Sequence, residues 1–152
     1  MRIPFLSRKS FFSPEENAQV VAAIQQAEKQ TSGEIRVYVE SRCRFVNPLD
    51  RAVEVFRFLH MDKTKDQNAV LVYVAMKDRQ LAVLGDRHIH EKVGTEFWEK
   101  QVKEMLSHFG KENYASGLEK IILQIGQALQ SHFPYDGDKD ENELPDDIVT
   151  GR

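Results

Sequence analysis

Residues 69–75, AVLVYVA, admit one kind of environment. Seven successive apolar side chains, mostly β-branched or aromatic, read as a strand covered on both faces rather than one with a wet side. MKDRQ follows as a turn, and LAVLGD at 81–86 reads as a second strand, so the two form a hairpin. A sheet with such a strand in it needs helices above and below, and the rest of the chain supplies them. Ser13-Pro14-Glu15-Glu16 is a helix start: serine caps, proline takes the first turn, and Glu16 closes a capping box. Val20, Val21, Ile24 and Ala27 give that helix an apolar face, and Gly33 is expected as the left-handed residue after its end.

From Glu34 the period changes to two. Ile35, Val37 and Val39 alternate with Arg36, Tyr38 and Glu40, which predicts a strand. Asn47-Pro48 opens a second helix, buried through Ala52, Val53, Phe56 and Leu59. Phe97, Trp98, Val102, Met105, Leu106 and Phe109 mark a third. Tyr114, Leu118, Ile121, Ile122, Ile125 and Leu129 mark a fourth, ending at Phe133-Pro134. A strand–helix–strand unit of this length favours a parallel pair with a right-handed crossover. The expected fold class is α/β, a three-layer α/β/α sandwich with a small mixed β-sheet flanked by helices. Residues 1–12 form an N-terminal segment, 13–135 the domain, and 136–152 an acidic tail that Leu144 and Ile148 would pin to it. A further strand would have to come from a weak segment such as 1–12 or 41–47.

The topology has a chemical consequence. If the strands from Glu34 and Ala69 are parallel, their starts share an edge with Gly85-Asp86, the end of the hairpin partner. The loops 31–34, 60–68 and 85–90 then carry Glu34, Asp62, Asp66, Asn68 and Asp86 to one rim. Carboxylates, an amide and loop carbonyls suit a hard cation such as Ca2+, with Mg2+ possible through fewer protein ligands and more water. Solvated acids at strand ends are the plain alternative.

Composition narrows the remaining classes. The chain has 152 residues and a net charge of −3, too little positive charge for a general attraction to nucleic acid or to an anionic membrane. Residues 136–147 hold seven acids against Lys139 alone, a local charge of −6, which leaves about +3 for the remainder. Within them Asp136, Asp138, Asp140 and Asn142 alternate as in a calcium loop, but Glu141 stands where that loop needs glycine and Pro145 breaks the exiting helix. Asp146 and Asp147 remain candidates for the rim if the tail docks. One cysteine, Cys43, rules out an internal disulfide. MRIPFLSRKSFF has no apolar run of about 7–15 residues, and nothing approaches the roughly 18 of a membrane span. A cytoplasmic location with no membrane span is the expectation.

Other signals are weaker. His88 and His90 with Glu91 invite zinc, but spacing nominates no third ligand. Cys43 between Arg42 and Arg44 has no histidine near it in sequence to act as base. Phe97, Trp98, Met105 and Phe109 have the spacing of core rather than of a binding face. Arg36, Arg42, Arg44 and Arg51 give the first strand a basic cast without the aromatics of a nucleic-acid groove.

AEKQTSGEIRVYVE, NAVLVYVAMKDRQLAVLGDRHIHEKVG, the FW pair, YASGL at 114–118, and HFP followed by NELPDDI form an ordered set. Together, from about Phe11 to Ile148, they resemble the TPM domain family, and the last two pieces resemble a short soluble bacterial branch of it. The resemblance implies a sheet between helices and calcium binding in the loops at a sheet edge, with Glu34 in TSGE and Asp86 in GD as the best matches. It also implies an alternative, the acid phosphatase activity linked to the plant branch, here metal-dependent with Asp86 as base or nucleophile. The primary expectation is a calcium-binding structural or interaction module, its protein partner unnamed by the sequence.

Overall fold

The computed structural model describes residues 11–109, 113–135 and 144–151. Helix α1 (Pro14–Glu28) leads into strand β1 (Glu34–Glu40), then helix α2 (Pro48–Phe58) and a short 3-10 turn at Met61–Lys63. The hairpin of β2 (Ala69–Ala75) and β3 (Gln80–Gly85) follows, then helices α3 (Arg87–Phe109) and α4 (Tyr114–His132), and a short strand β4 (Ile148–Thr150). Ser13 caps α1 and shares a complete capping box with Glu16. The Asn47 side chain accepts from Leu49 N at the start of α2.

The sheet order is β3-β2-β1-β4. β1 runs parallel to β2 with Glu34 opposite Ala69, and β2 runs antiparallel to β3 with Val70 opposite Gly85. All seven residues of β1 and all seven of β2 are buried, because each face has its own core. Ile35, Val37, Val39, Val70, Val72, Val74, Leu81 and Val83 meet α1, α3 and α4 on one side. Tyr38, Leu71, Tyr73, Ala75 and Ala82 meet Ala52, Val55 and Phe56 of α2 on the other, with Met61. Of the polar members of the β1 alternation, Tyr38 joins this second core and Glu40 meets Arg51 of α2, while Arg36 is buried on the same strand beside the acids at its start. This is the expected α/β/α arrangement.

Three details differ from the sequence reading. The fourth strand comes from neither 1–12 nor 41–47: Ile148–Thr150 pairs parallel with Val37–Val39. Gly33 is not left-handed, since Gly94 alone among the described glycines has positive φ, at 79°. Its requirement is space: a Cβ on Gly33 would stand 2.7 Å from Leu129 Cδ2. Gly94 breaks α3 into two pieces with nothing packed against it, and Leu106, counted with that helix's apolar face, is exposed.

Candidate functional site

The loop before β1 is held by the chain that follows α4. Ser32 N donates to Phe133 O, Tyr135 N to Gln30 O, and the Thr31 hydroxyl to Phe133 O, while Gly33 N donates to Thr31 Oγ1 at 3.0 Å. So anchored, β1 begins at Glu34, which is 2 % exposed. Its Oε1 accepts from Leu144 N at 2.7 Å, a contact spanning 110 residues. Leu144 is buried under the α2 face, and Ile148 packs into the opposite core. The segment 144–151 thus crosses the sheet edge like a strap, carrying Asp146 and Asp147 to the start of β1.

Glu28, in the last turn of α1, completes this group. β4 first pairs with β1 at Val37. Ahead of that point the Ile35 N–H donates to Glu28 Oε2 at 2.7 Å. Burial, a hydrogen bond with Asp146 and the charge of Glu34 push the Glu28 carboxyl up to about 10. Glu28 therefore holds its proton at neutral pH. Arg36 lies on the same strand, 8 % exposed. Burial lowers its pKa, and the charges of Asp147, Asp146, Glu28 and Glu34 oppose that shift. Its Nε is buried without a hydrogen-bond partner.

The other two loops reach the same edge. Asp86 N donates to Ala69 O at 2.8 Å and His88 N to Gln67 O at 3.1 Å, which closes the end of β3 on the start of β2. Asn68, fully buried, donates through Nδ2 to Ser32 Oγ at 3.2 Å and ties the β2 loop to the β1 loop. Its Oδ1 has no donor, and neither has Asp86 Oδ2. Asp86 Oδ1 accepts from Arg87 N. The Asp66 carbonyl faces His88 Nδ1 at 2.9 Å, while Asp62 is exposed on the 3-10 turn. Asp147 is exposed at the outer edge. Among the described residues no three histidine, cysteine or carboxylate side chains are grouped closely enough to hold a metal ion by themselves. The alternating acids at 136–143 lie outside the described residues.

Sequence reasoning missed Glu28 and Arg36. Glu28 had a signal: an acid in the last helical turn, with no basic residue there, opposes the helix dipole. Arg36 had none, because its alternation with valines reads as a solvated face.

The opposite end of β1 also buries polar groups, arranged differently. Arg51 from α2 grips Glu40 with Nε and Nη2, both at 2.9 Å, and also reaches Glu54. The Tyr73 hydroxyl donates to Glu40 as well. Tyr38 stacks on Tyr73 with ring centroids 6.2 Å apart, beneath the Arg51 guanidinium. Burial, then the hydrogen bond to Glu40, raises the Tyr73 pKa, and the Glu40 hydrogen bond raises that of Arg51.

With this geometry in place the relatives can be compared. The profile of the TPM domain matches residues 7–128. The NMR structure of the BA42 protein from the psychrophilic bacterium Bizionia argentinensis is 40 % identical, covers 96 % of this chain and 99 % of its own, and superposes with a TM-score of 0.85. The N-terminal domain of the cg2496 protein from Corynebacterium glutamicum, 15 % identical, shares the fold at a TM-score of 0.62 over 80 % of this chain and 76 % of its own. An N-terminal domain from P. gingivalis, 16 % identical, shares it at 0.67 over 84 % and 83 %. Among curated protein sequences none matches.

Proposed function

The chain belongs to the TPM domain family, and from that premise we propose that its sheet-edge rim binds a divalent cation, calcium before magnesium, and uses it to fix the loops and the C-terminal strap. The observation that carries this reading is a pair of buried acceptors, Asn68 Oδ1 and Asp86 Oδ2, left without donors on a rim that also buries Glu34. An unmet buried acceptor costs about 1–3 kcal/mol, and a cation is one group that relieves it. Glu28 and Asp146 support the reading: carboxylates crowded enough to retain a proton offer oxygens that a cation takes in the proton's place. Glu34, Asp146, Asn68 and Asp86 would hold the ion by drawing together as it binds, since no three acidic side chains are grouped around one point among the described residues. Asp62, Asp66 and Asp147 stand further out, where they contribute charge or water-mediated contacts. The ion supplies charge neutralisation; the protein side supplies oxygens from separate segments, so that binding and strap docking favour each other.

The test is a calcium titration of chelator-treated protein, with magnesium as control, read by calorimetry and thermal melting. At free calcium about 100 times its dissociation constant one site adds roughly 2.7 kcal/mol. For a chain of this length the midpoint then rises by roughly 5–10 °C. Glu34→Gln keeps an oxygen for Leu144 N but removes the charge, and is expected to abolish the rise. No heat and no shift with either cation sinks the proposal.

One observation favours a second reading, a metal-dependent phosphatase. The buried Arg36 guanidinium, with Nε unpaired, is a cation beside the acids, as a phosphoryl group requires. In that reading Arg36 holds the phosphoryl oxygens and Asp86 is base or nucleophile. Hydrolysis of p-nitrophenyl phosphate by the calcium- or magnesium-loaded protein, lost in both Arg36→Met and Asp86→Asn, would support it. No hydrolysis by the wild type, or activity unchanged in Asp86→Asn, removes it.

A further inference from the structure

The loop between β1 and α2 lies at the end of the sheet opposite the acidic rim. Val46 at its tip is 101 % exposed, and Phe45 and Leu49 are 37 % and 41 % exposed beside it. An apolar tip of this kind gains nothing from the fold it belongs to. Cations surround it. The Arg42 side chain is 68 % exposed, and Arg44, Lys77 and Arg79 are exposed as well. Within residues 41–50 and 76–79 these four oppose Asp50 and Asp78 alone, a local charge of +2.

The patch is built from two loops sewn together. Met76 N donates to Glu40 O at 2.8 Å and Lys77 N to Ser41 O at 2.7 Å. Asp78 accepts from Cys43 N at 2.7 Å and from Arg42 Nη1 at 3.2 Å. Asn47 caps α2 directly behind the tip. The apolar residues and the cations are thus held at one end of the molecule, while the acidic rim lies at the other. The molecule is electrically polar along its strands, although its net charge is only −3.

We propose that this loop pair docks the protein reversibly on an anionic lipid bilayer, with Phe45, Val46 and Leu49 entering the headgroup–acyl boundary and Arg42, Arg44, Lys77 and Arg79 facing lipid phosphates. Charge complementarity selects an anionic partner, and the tip selects the bilayer: Phe45 is a lone aromatic beside aliphatic Val46 and Leu49, too little for a run of stacked bases, whereas an apolar tip ringed by cations matches an interface that is apolar below and anionic above. Binding of this size is weak, reversible and steeply dependent on salt. It uses no residue of the cation site and stands whether or not that site binds calcium.

The experiment is co-sedimentation of the full chain, with chelator present throughout, with phosphatidylcholine vesicles and with vesicles containing about one-third phosphatidylserine. The expected result is partition onto the anionic vesicles alone, lost when salt is raised from about 0.1 M to about 0.5 M. Arg44→Gln is expected to weaken partition roughly fivefold, and Val46→Asp to abolish it. Both positions are exposed, so an unchanged melting curve certifies the fold of each variant. Equal partition on neutral vesicles, binding that appears only when calcium replaces the chelator, or wild-type partition by Val46→Asp each overturn the proposal. Salt-sensitive binding to single-stranded nucleic acid that Val46→Asp leaves intact, without vesicle binding, assigns the patch to a different partner and overturns it too.

Discussion

At one end of β1, Glu40 has both carboxylate oxygens in the grip of Arg51 and a third donor in Tyr73; at the other, Glu34 accepts from the backbone N–H of a distant strap. Both glutamates are almost fully buried, at 5 % and 2 % exposure, on the same strand and the same face. Their surroundings differ. Around Glu40 the named donors and acceptors match, and the charges alternate between Arg51 and its two acids. Around Glu34 lie an acid that retains its proton, a guanidinium nitrogen without an acceptor, and two acceptor oxygens without donors. A matched buried network rigidifies a fold; a mismatched one is held in place by the rest of the structure and leaves room for a ligand. The α2 end of the strand has the make-up of a stabilising network, and the strap end is where the proposed cation would bind.

The largest effect expected of this division is at the stable end. Arg51→Met leaves Glu40 buried with no counter-charge, and breaking such a pair costs about 3–5 kcal/mol. Urea unfolding measures it, and the loss should be the same with calcium or with chelator. A loss under about 1 kcal/mol would erase the distinction between the two ends. Next in size is the strap. Leu144→Ala removes its anchor under the α2 face; because Leu144 sits at the margin of burial, with 9 % exposed, the cost belongs near the low end of such truncations, about 2 kcal/mol. Here the calcium response should shrink as well, since Asp146 is delivered by the same segment. A stability loss with a full calcium response would detach the strap from the binding site.

Much of this arrangement was legible because period and topology constrain each other. AVLVYVA demanded cover on both faces, the crossover length demanded a parallel pair, and together they placed Glu34, Asn68 and Asp86 at one edge, as the registers Glu34–Ala69 and Val70–Gly85 confirm. Strand β4 was illegible. Three residues after Pro-Asp-Asp carry no period, and the strand exists only because β1, more than a hundred residues earlier, offers an open edge. Gly33 misled because two physical needs select glycine, a left-handed backbone or the absence of a side chain, and only the packing of Leu129 shows which applies. Glu40 and Arg51 each read as surface residues. Their pairing depends on α2 lying across the sheet, which a one-dimensional pattern does not display.

The last expected effect concerns the proton on Glu28, and it separates the two ends by pH dependence and not by the size of a loss at one pH. The ordinary carboxyl value of 4.5 applies to the unfolded chain, whereas the folded value is about 10. Between those limits the native state binds the extra proton. Its contribution is complete below about pH 4.5 and is lost as pH rises toward about 10, with a slope of at most about 1.4 kcal/mol per pH unit. Chelator-treated wild type should therefore unfold at lower urea as pH is raised from about 6 to about 9. Glu28→Gln retains an oxygen for the Ile35 N–H and an amide to donate to Asp146, but has no proton to lose. The variant should show a flatter profile and exceed the wild type at the alkaline end. Saturating calcium should flatten the wild-type profile in the same way and release up to one proton on binding. Arg51→Met should keep the wild-type slope, because its defect lies at the other end of the strand. Identical slopes for wild type and Glu28→Gln would show that no proton is held there, and would remove the crowding of carboxylates from the case for a cation.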